Sequence, residues 1–248
     1  MELLDKVVIV TGAGLGLGLG ITRKVFAEGA LVALWDMNLE SVEKAARELD
    51  PSGKRILPVK VNVTVEAEIL QAVSKTVEKF GRIDVLVNNA GISRHASLED
   101  MTLEMFELVL KVDLTGPFLC CKSVAPMMRK QKFGKIVNIA SLGGRTGRPG
   151  VGVNYAAAKG GLIGVTKLLA KELGPDNIYV NAICPGPILT DQTKQYPPEV
   201  YASWNAGRAV PKDGLPEDIG DAVIFLASNR SDWITGISLD INGGIFIG

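Results

Sequence analysis

Residues 11–20 read TGAGLGLGLG, with a glycine at every even position from Gly12 to Gly20. Such a tract is either a flexible linker or a tight turn, and its flanks decide which. Before it stands VVIV (7–10), an apolar run of β-branched residues with the pattern of a strand buried on both faces. After it comes ITRKVFAEG, a helical stretch, and then LVALWD (31–36), a second apolar run. A flexible linker has no place between two segments that both need burial. The tract therefore reads as the turn of a βαβ unit.

The alternation continues along the chain. Apolar runs at 7–10, 31–35, 56–61, 83–87, 135–140, 178–183 and 237–241 predict strands. Helical periodicity between them covers 17–28, 39–49, 66–80, 102–130, 155–173 and 216–227. Continuous apolar strands alternating with helices imply a parallel sheet covered on both faces, a doubly wound α/β domain. No linker or repeat divides residues 1–248, so one domain is expected. The stretch 185–216 is irregular, rich in proline, and carries Tyr196, Tyr201 and Trp204. A loop of that length predicts a lid over a site, at about 187–214.

Composition narrows the function classes. Of 248 residues 47% are apolar and 22% charged, enough for a sizeable core. Lys plus Arg and Asp plus Glu both number 27, so no net field favours nucleic acid or an anionic membrane as a partner. The N-terminal MELLDKVVIV lacks the basic and apolar regions of a signal peptide, and no apolar run is long enough for a bilayer. Cys120, Cys121 and Cys184 form no CxxC pair or metal pattern, and their odd number argues against a secreted disulfide framework. They read as buried small hydrophobes. A cytoplasmic protein with no metal site is expected.

In a doubly wound fold the first βα turn presents helix N–H groups to a pyrophosphate. G-x-G-x-x-G fits no register here: its third glycine falls on Leu17, Leu19, Ile21 or Arg23. The G-x-x-x-x-G-K-[ST] phosphate loop also fails. G-x-x-x-G-x-G fits twice, and Thr11, directly after the strand, selects Gly12, Gly16 and Gly18, with Leu15 and Leu17 between them. Gly14 and Gly20 are then packing or spare positions. Asp36 closes the second strand, where a carboxylate binds the adenosine ribose hydroxyls and repels a 2′-phosphate. No Lys or Arg lies between Gly12 and Gly18. Both features point to NAD rather than NADP.

TGAGLGLG (11–18), NNAG (88–91), Ser141, Tyr155-x-x-x-Lys159, Pro185-Gly186 and the terminal INGG (241–244) occur in the order and spacing of the short-chain dehydrogenases/reductases. The resemblance covers essentially the whole chain and implies a Rossmann-like doubly wound domain with a seven-stranded parallel sheet. Chemistry supports it independently. Tyr155 and Lys159 are four apart, on one face of a helix. A free phenol titrates at about 10, and a neighbouring ammonium favours its phenolate. By resemblance, Tyr155 transfers the proton, Ser141 holds the substrate oxygen, and Lys159 also grips the nicotinamide ribose. The resemblance further places Asn89, Ala90 and Gly91 along the cofactor and Asn62 and Val63 at the adenine. Pro185, Gly186, Ile188 and Thr190 would lie near the carboxamide and phosphates. One position departs from the pattern: Asp113 stands where the family usually has an asparagine that helps order a water and the lysine. A carboxylate there raises the lysine's pKa and competes with Tyr155 for its ammonium.

The substrate side is marked less clearly. His95, just past NNAG, is either a contact at the cleft mouth or an ordinary loop histidine. Leu142, Gly143, Gly144 and Val151 flank the catalytic strand and leave room for a substrate. Tyr196, Tyr201 and Trp204 either meet a partly apolar ligand or hold the lid closed. Arg145 and Arg148 are either available to an anionic substrate or simply solvated. The apolar and small-residue faces of helices 102–130 and 155–173 are the kind that pack against other subunits, and the resemblance implies a homotetramer. The leading expectation is an NAD-dependent oxidoreductase interconverting a secondary alcohol and a ketone, resembling NAD-dependent alcohol dehydrogenases. Its rival is a 3-oxoacyl-[acyl-carrier-protein] reductase using NADPH, which usually carries a basic residue where this chain has Leu15. A dinucleotide-sensing regulatory protein without turnover is a third reading, which intact Ser141, Tyr155 and Lys159 oppose.

Overall fold

The computed structural model describes every residue except Pro149. Its strands run β1 (Val7–Thr11), β2 (Leu31–Asp36), β3 (Ile56–Lys60), β4 (Val85–Asn88), β5 (Gly134–Ile139), β6 (Ile178–Pro185) and β7 (Ser238–Ile241). They form one parallel sheet in the order β3-β2-β1-β4-β5-β6-β7. The order reverses between β1 and β4, opening a crevice at the carboxyl ends of these two strands.

Helices cover both faces: α1 (Gly16–Ala27), α2 (Leu39–Leu49) and α9 (Pro216–Ala227) on one, α3 (Glu66–Phe80), α5 (Gly116–Gln131) and α7 (Val153–Leu173) on the other. Successive strand residues feed opposite cores, as strand geometry requires. Val8, Val10 and Leu34 pack under α1, α2 and α9, whereas Ile9, Trp35 and Leu86 pack under α3, α5 and α7. All six are fully buried. Local chemistry sets the helix ends. The Asn38 side chain caps α2 by accepting from Ser41 N, Gly81 ends α3 in the left-handed region at φ +79, and Pro216 opens α9.

Two expectations need correction. The helix predicted at 102–130 is α4 (Leu103–Leu110), a π turn (Lys111–Thr115) and α5 in succession. A π turn is still helical and needs no breaker residue, so nothing in residue type announces it. The irregular stretch 185–216 contains a short helix, α8 (Pro198–Trp204), and a bridge between Ile188 and Gly214 joins the two ends of the segment expected to form a lid. A further short helix, α6 (Leu142–Thr146), follows β5. Among the described residues, no helix is long and apolar enough to cross a membrane.

Candidate active site

The glycine turn begins where β1 stops. Gly12 and Gly16 have φ of +63 and +54, conformations that L side chains rarely adopt. A side chain on Gly18 would run into the Gly12 carbonyl, so α1 lies directly on the turn backbone. Gly20 packs against Pro216 and Gly14 against Ser41, both without room for a Cβ. At Gly16 a Cβ would meet only Thr190, at an ordinary van der Waals distance of 3.9 Å, so the positive φ rather than crowding calls for glycine there. α1 starts at Gly16 after Leu15, with no capping side chain and no acidic residue in its first turn. Its free N–H groups and positive dipole end are the setting of an anion. The uncapped helix end fits a pyrophosphate by its donors and dipole.

Asp36 ends β2 beside the turn. Its Oδ2 accepts from Gly14 N at 3.0 Å and its Oδ1 from Asn38 N at 2.9 Å, so two backbone donors fix the carboxylate. Leu15 and Met37, close by in sequence, are largely exposed. Neither offers positive charge to a 2′-phosphate. Val63 is buried against Gly116, and Asn62 Oδ1 accepts from the Thr64 N–H and hydroxyl. Leu17 packs against the core rather than into the turn's open side.

Across the crevice, the Thr11 hydroxyl accepts from Asn89 N at 3.0 Å and Ala90 N at 2.9 Å. The Asn89 amide donates back to the Thr11 and Gly12 carbonyls at 2.9 and 3.1 Å. These bonds tie β1 to β4 and hold the NNAG backbone along the cleft floor. Neither Thr11's role nor the direction of the Asn89 side chain has a signature in sequence, because both depend on a contact across nearly eighty residues.

The catalytic candidates converge from three elements. Ser141, just after β5, caps α6 by accepting from Gly143 N at 3.0 Å. That bond uses an oxygen lone pair and leaves the hydroxyl proton available to a substrate oxygen. Tyr155 lies in the first turn of α7, where buried Asn154 accepts from Tyr155 N at 2.7 Å and donates to the Met105 carbonyl of α4 at 3.1 Å. One turn on, Lys159 is buried with its Nζ 5.6 Å from the Tyr155 ring centroid. It donates to the Ile139 carbonyl at 2.9 Å and stands 3.2 Å from Asp113 Oδ2. The π turn delivers Asp113 to this point, fully buried, with Oδ1 accepting from Ile92 N at 2.8 Å. Burial opposes the Lys159 charge, but the Asp113 carboxylate and Tyr155 outweigh it, so its pKa lies above the usual lysine value. Burial pushes the Asp113 carboxyl above the ordinary aspartate range, with the Lys159 ammonium pulling the other way.

The lid and mouth contain further corrections. Arg145 is not available to a substrate: it pairs with Asp240 at 3.1 Å and lies over Phe246. Arg148 donates to the Trp204 carbonyl at 2.6 Å, fastening the end of α8 to the loop before α7. Gly144 leaves no space for a substrate, since a Cβ there would be 2.6 Å from the α7 backbone at Lys159 and Gly160. Leu142 is buried, while Gly143 faces Val151. Trp204 packs edge-on against Tyr196 and Tyr201, at centroid distances of 5.0 and 6.3 Å. Ile188 is buried at the lid's root, and Gly186 N donates to Ile241 O, tying the turn after Pro185 to β7. His95 is exposed on the loop after NNAG. All three cysteines are free and buried; burial pushes Cys121 up to about 12 and Cys184 up to about 11. Among the described residues, no group of three His, Cys, Asp or Glu could hold a metal.

Comparison with known proteins agrees with this architecture. A family model described as Enoyl-(Acyl carrier protein) reductase matches residues 12–245. The chain is 41% identical over 247 residues to the 3-oxoacyl-[acyl-carrier-protein] reductase FabG of Thermotoga maritima, covering 100% of both chains. It is 42% identical over 245 residues to the FabG of Chlamydia muridarum, covering 98% of each. The crystal structure of gox2181 superposes with a TM-score of 0.94 at 32% identity, covering 98% of this chain and 96% of that one. With a full-length family match and a shared doubly wound fold, this chain belongs to the short-chain dehydrogenase/reductase family of oxidoreductases.

Proposed function

We propose that the chain uses NAD(H) to interconvert a carbonyl and a secondary alcohol, and that the carbonyl is the 3-oxo group of an acyl thioester. The observation that carries the chemistry is the buried Lys159, held beside Tyr155 by the Ile139 carbonyl and Asp113. A bound nicotinamide supplies the hydride. In the reducing direction the Tyr155 phenol gives its proton to the carbonyl oxygen, and the Ser141 hydroxyl donates a hydrogen bond to that same oxygen. In the oxidising direction Tyr155 takes the proton back. Lys159 keeps positive charge near the phenol and would be the residue that holds the nicotinamide ribose. Gly12, Gly16, Gly18 and Thr190 would hold the pyrophosphate, Asp36 the adenosine ribose, and Ala90 and Gly91 the backbone wall beside the second ribose.

The relatives' names favour a 3-oxoacyl chain over a simple secondary alcohol. Asp36 supports NAD(H): a carboxylate fixed by Gly14 and Asn38, with no cation in the glycine turn, repels a 2′-phosphate. The exposed apolar side chains of Leu103, Leu108, Phe118 and Leu168 support assembly into a homotetramer. The reading is tested by measuring dissociation constants for NADH and NADPH side by side, then reduction of a 3-oxoacyl thioester with the preferred one. Tighter NADH and turnover lost in Tyr155→Phe are expected. Tighter NADPH overturns the cofactor assignment, and turnover on simple ketones alone restores the secondary-alcohol reading.

A further inference from the structure

The helix α6 has five residues, too few to hold itself together in water. Its placement therefore comes from what it touches, and Ser141 depends on that placement. The Ser141 side chain caps α6 through Gly143 N at 3.0 Å, so the direction of its hydroxyl follows the helix. Leu142, the first residue of α6, is buried. Gly144 lies so close to α7 that a Cβ would be 2.6 Å from the Lys159 and Gly160 backbone. Arg145, the one charged residue of α6, reaches β7, where its Nη2 stands 3.1 Å from Asp240 Oδ2.

This last contact is built from both sides. The Arg145 and Asp240 side chains are 24% and 19% exposed, so salt screens their attraction less than that of a surface pair. Phe246 lies over the guanidinium, its ring centroid 5.3 Å from Arg145 Cζ. The tail that carries Phe246 folds back on Asn242, whose Oδ1 accepts from Gly244 N at 2.9 Å and Phe246 N at 3.4 Å. Asp240 stands opposite Cys184 of β6 in the sheet register, so the ion pair joins α6 to the edge of the sheet.

We infer that Arg145 is a positioning residue for Ser141: held by Asp240 and covered by Phe246, it fixes α6 and with it the hydroxyl that donates to the substrate oxygen. The C-terminal tail thereby acts on the reaction through one side chain. The inference rests on Ser141 as the donor to that oxygen.

One readout needs no substrate. Hydrogen exchange of the α6 amides, followed by mass spectrometry of peptides spanning 142–147, is compared in wild type, Arg145→Met and Asp240→Asn. Exchange about tenfold faster is expected in each variant. The double variant should be no faster than either single one, since both break the same pair. Unchanged exchange overturns the proposal, whatever the substrate. The other readout is single-turnover oxidation of NADH by a 3-oxoacyl thioester at saturating concentration. Arg145→Met should slow it about tenfold, the cost of a misplaced donor. In a Ser141→Ala background the same substitution should change the rate by less than about twofold, because the group it positions is gone. An equal loss in both backgrounds means that Arg145 serves the fold alone, and overturns the proposal. Should Arg145→Met fail to fold, Phe246→Ala takes its place in both measurements, with the same directions expected. If wild type reduces no 3-oxoacyl thioester, the substrate reading falls, and the exchange measurement still decides the role of Arg145.

Discussion

At the scale of single residues, chemistry and recognition separate cleanly. Tyr155→Phe removes the hydroxyl that carries the proton to be transferred, so turnover should fall by a factor on the order of 10²–10⁴ while NADH affinity stays unchanged. Stopped turnover assays paired with fluorescence titration check this. Asp36→Ala removes a charged acceptor, and charge-assisted hydrogen bonds contribute about 1.5–3 kcal/mol. NADH should therefore bind roughly tenfold to a hundredfold more weakly, with NADPH gaining relative to it. Equal loss for both dinucleotides would show that Asp36 only braces the Gly14 turn. Asp36 was visible in the sequence because it combines a strand end with a charge. Arg145 and Arg148 were misleading for the opposite reason: their partners, Asp240 and the Trp204 carbonyl, are distant in sequence, and an arginine carries no mark of whether it is paired.

At the scale of elements, the corner between α2 and β3 offers a test of pH-dependent stability. Asp50 is buried at the end of α2, accepting from the Ser52 hydroxyl and from Arg55 N and Ile56 N. Burial alone would raise its pKa, but these donors prevail and hold it below the usual aspartate value. Because the folded value is depressed, the stabilisation is fully present above the unfolded pKa of about 3.9 and is lost as pH falls through the folded one. Asp50→Asn should thus cost about 1–3 kcal/mol at pH 7, with the gap to wild type closing below about pH 4 in urea titrations. The main helices and strands were legible because each is long enough to display its period. The π turn and α8 were not. The first needs no breaker residue, and the second falls short of two full helical turns.

For the whole molecule, a dinucleotide seated across several elements should couple to global unfolding. At a hundred times its dissociation constant, NADH should add about 2.7 kcal/mol. In a chain of this size that raises the melting temperature by roughly 5–10 °C, and NADPH at the same concentration should give less. Thermal scans with each cofactor check it. Light scattering should find four times the 26.4 kDa of one chain, the exposed leucines of α4 and α7 being covered in the assembly. The doubly wound class was readable from the chain, since continuous apolar runs need helices on both sides. Sheet order β3-β2-β1-β4 was not, because crossovers leave no trace in composition.

The Thr11–Asn89 bracing has a consequence for how such a molecule changes over generations. It sits at the seam where strand order reverses, and holds that seam with main-chain carbonyls and one hydroxyl rather than with residues that touch either end of a ligand. On one side lie Asp36 and the Gly14 turn, proposed to hold the adenosine; on the other lie Ser141, Tyr155 and Lys159, proposed to act at the reacting carbon. Mutations can therefore retune the choice of coenzyme without disturbing the reaction, and the reverse. A lineage built on this hinge of fixed width can explore the two traits independently.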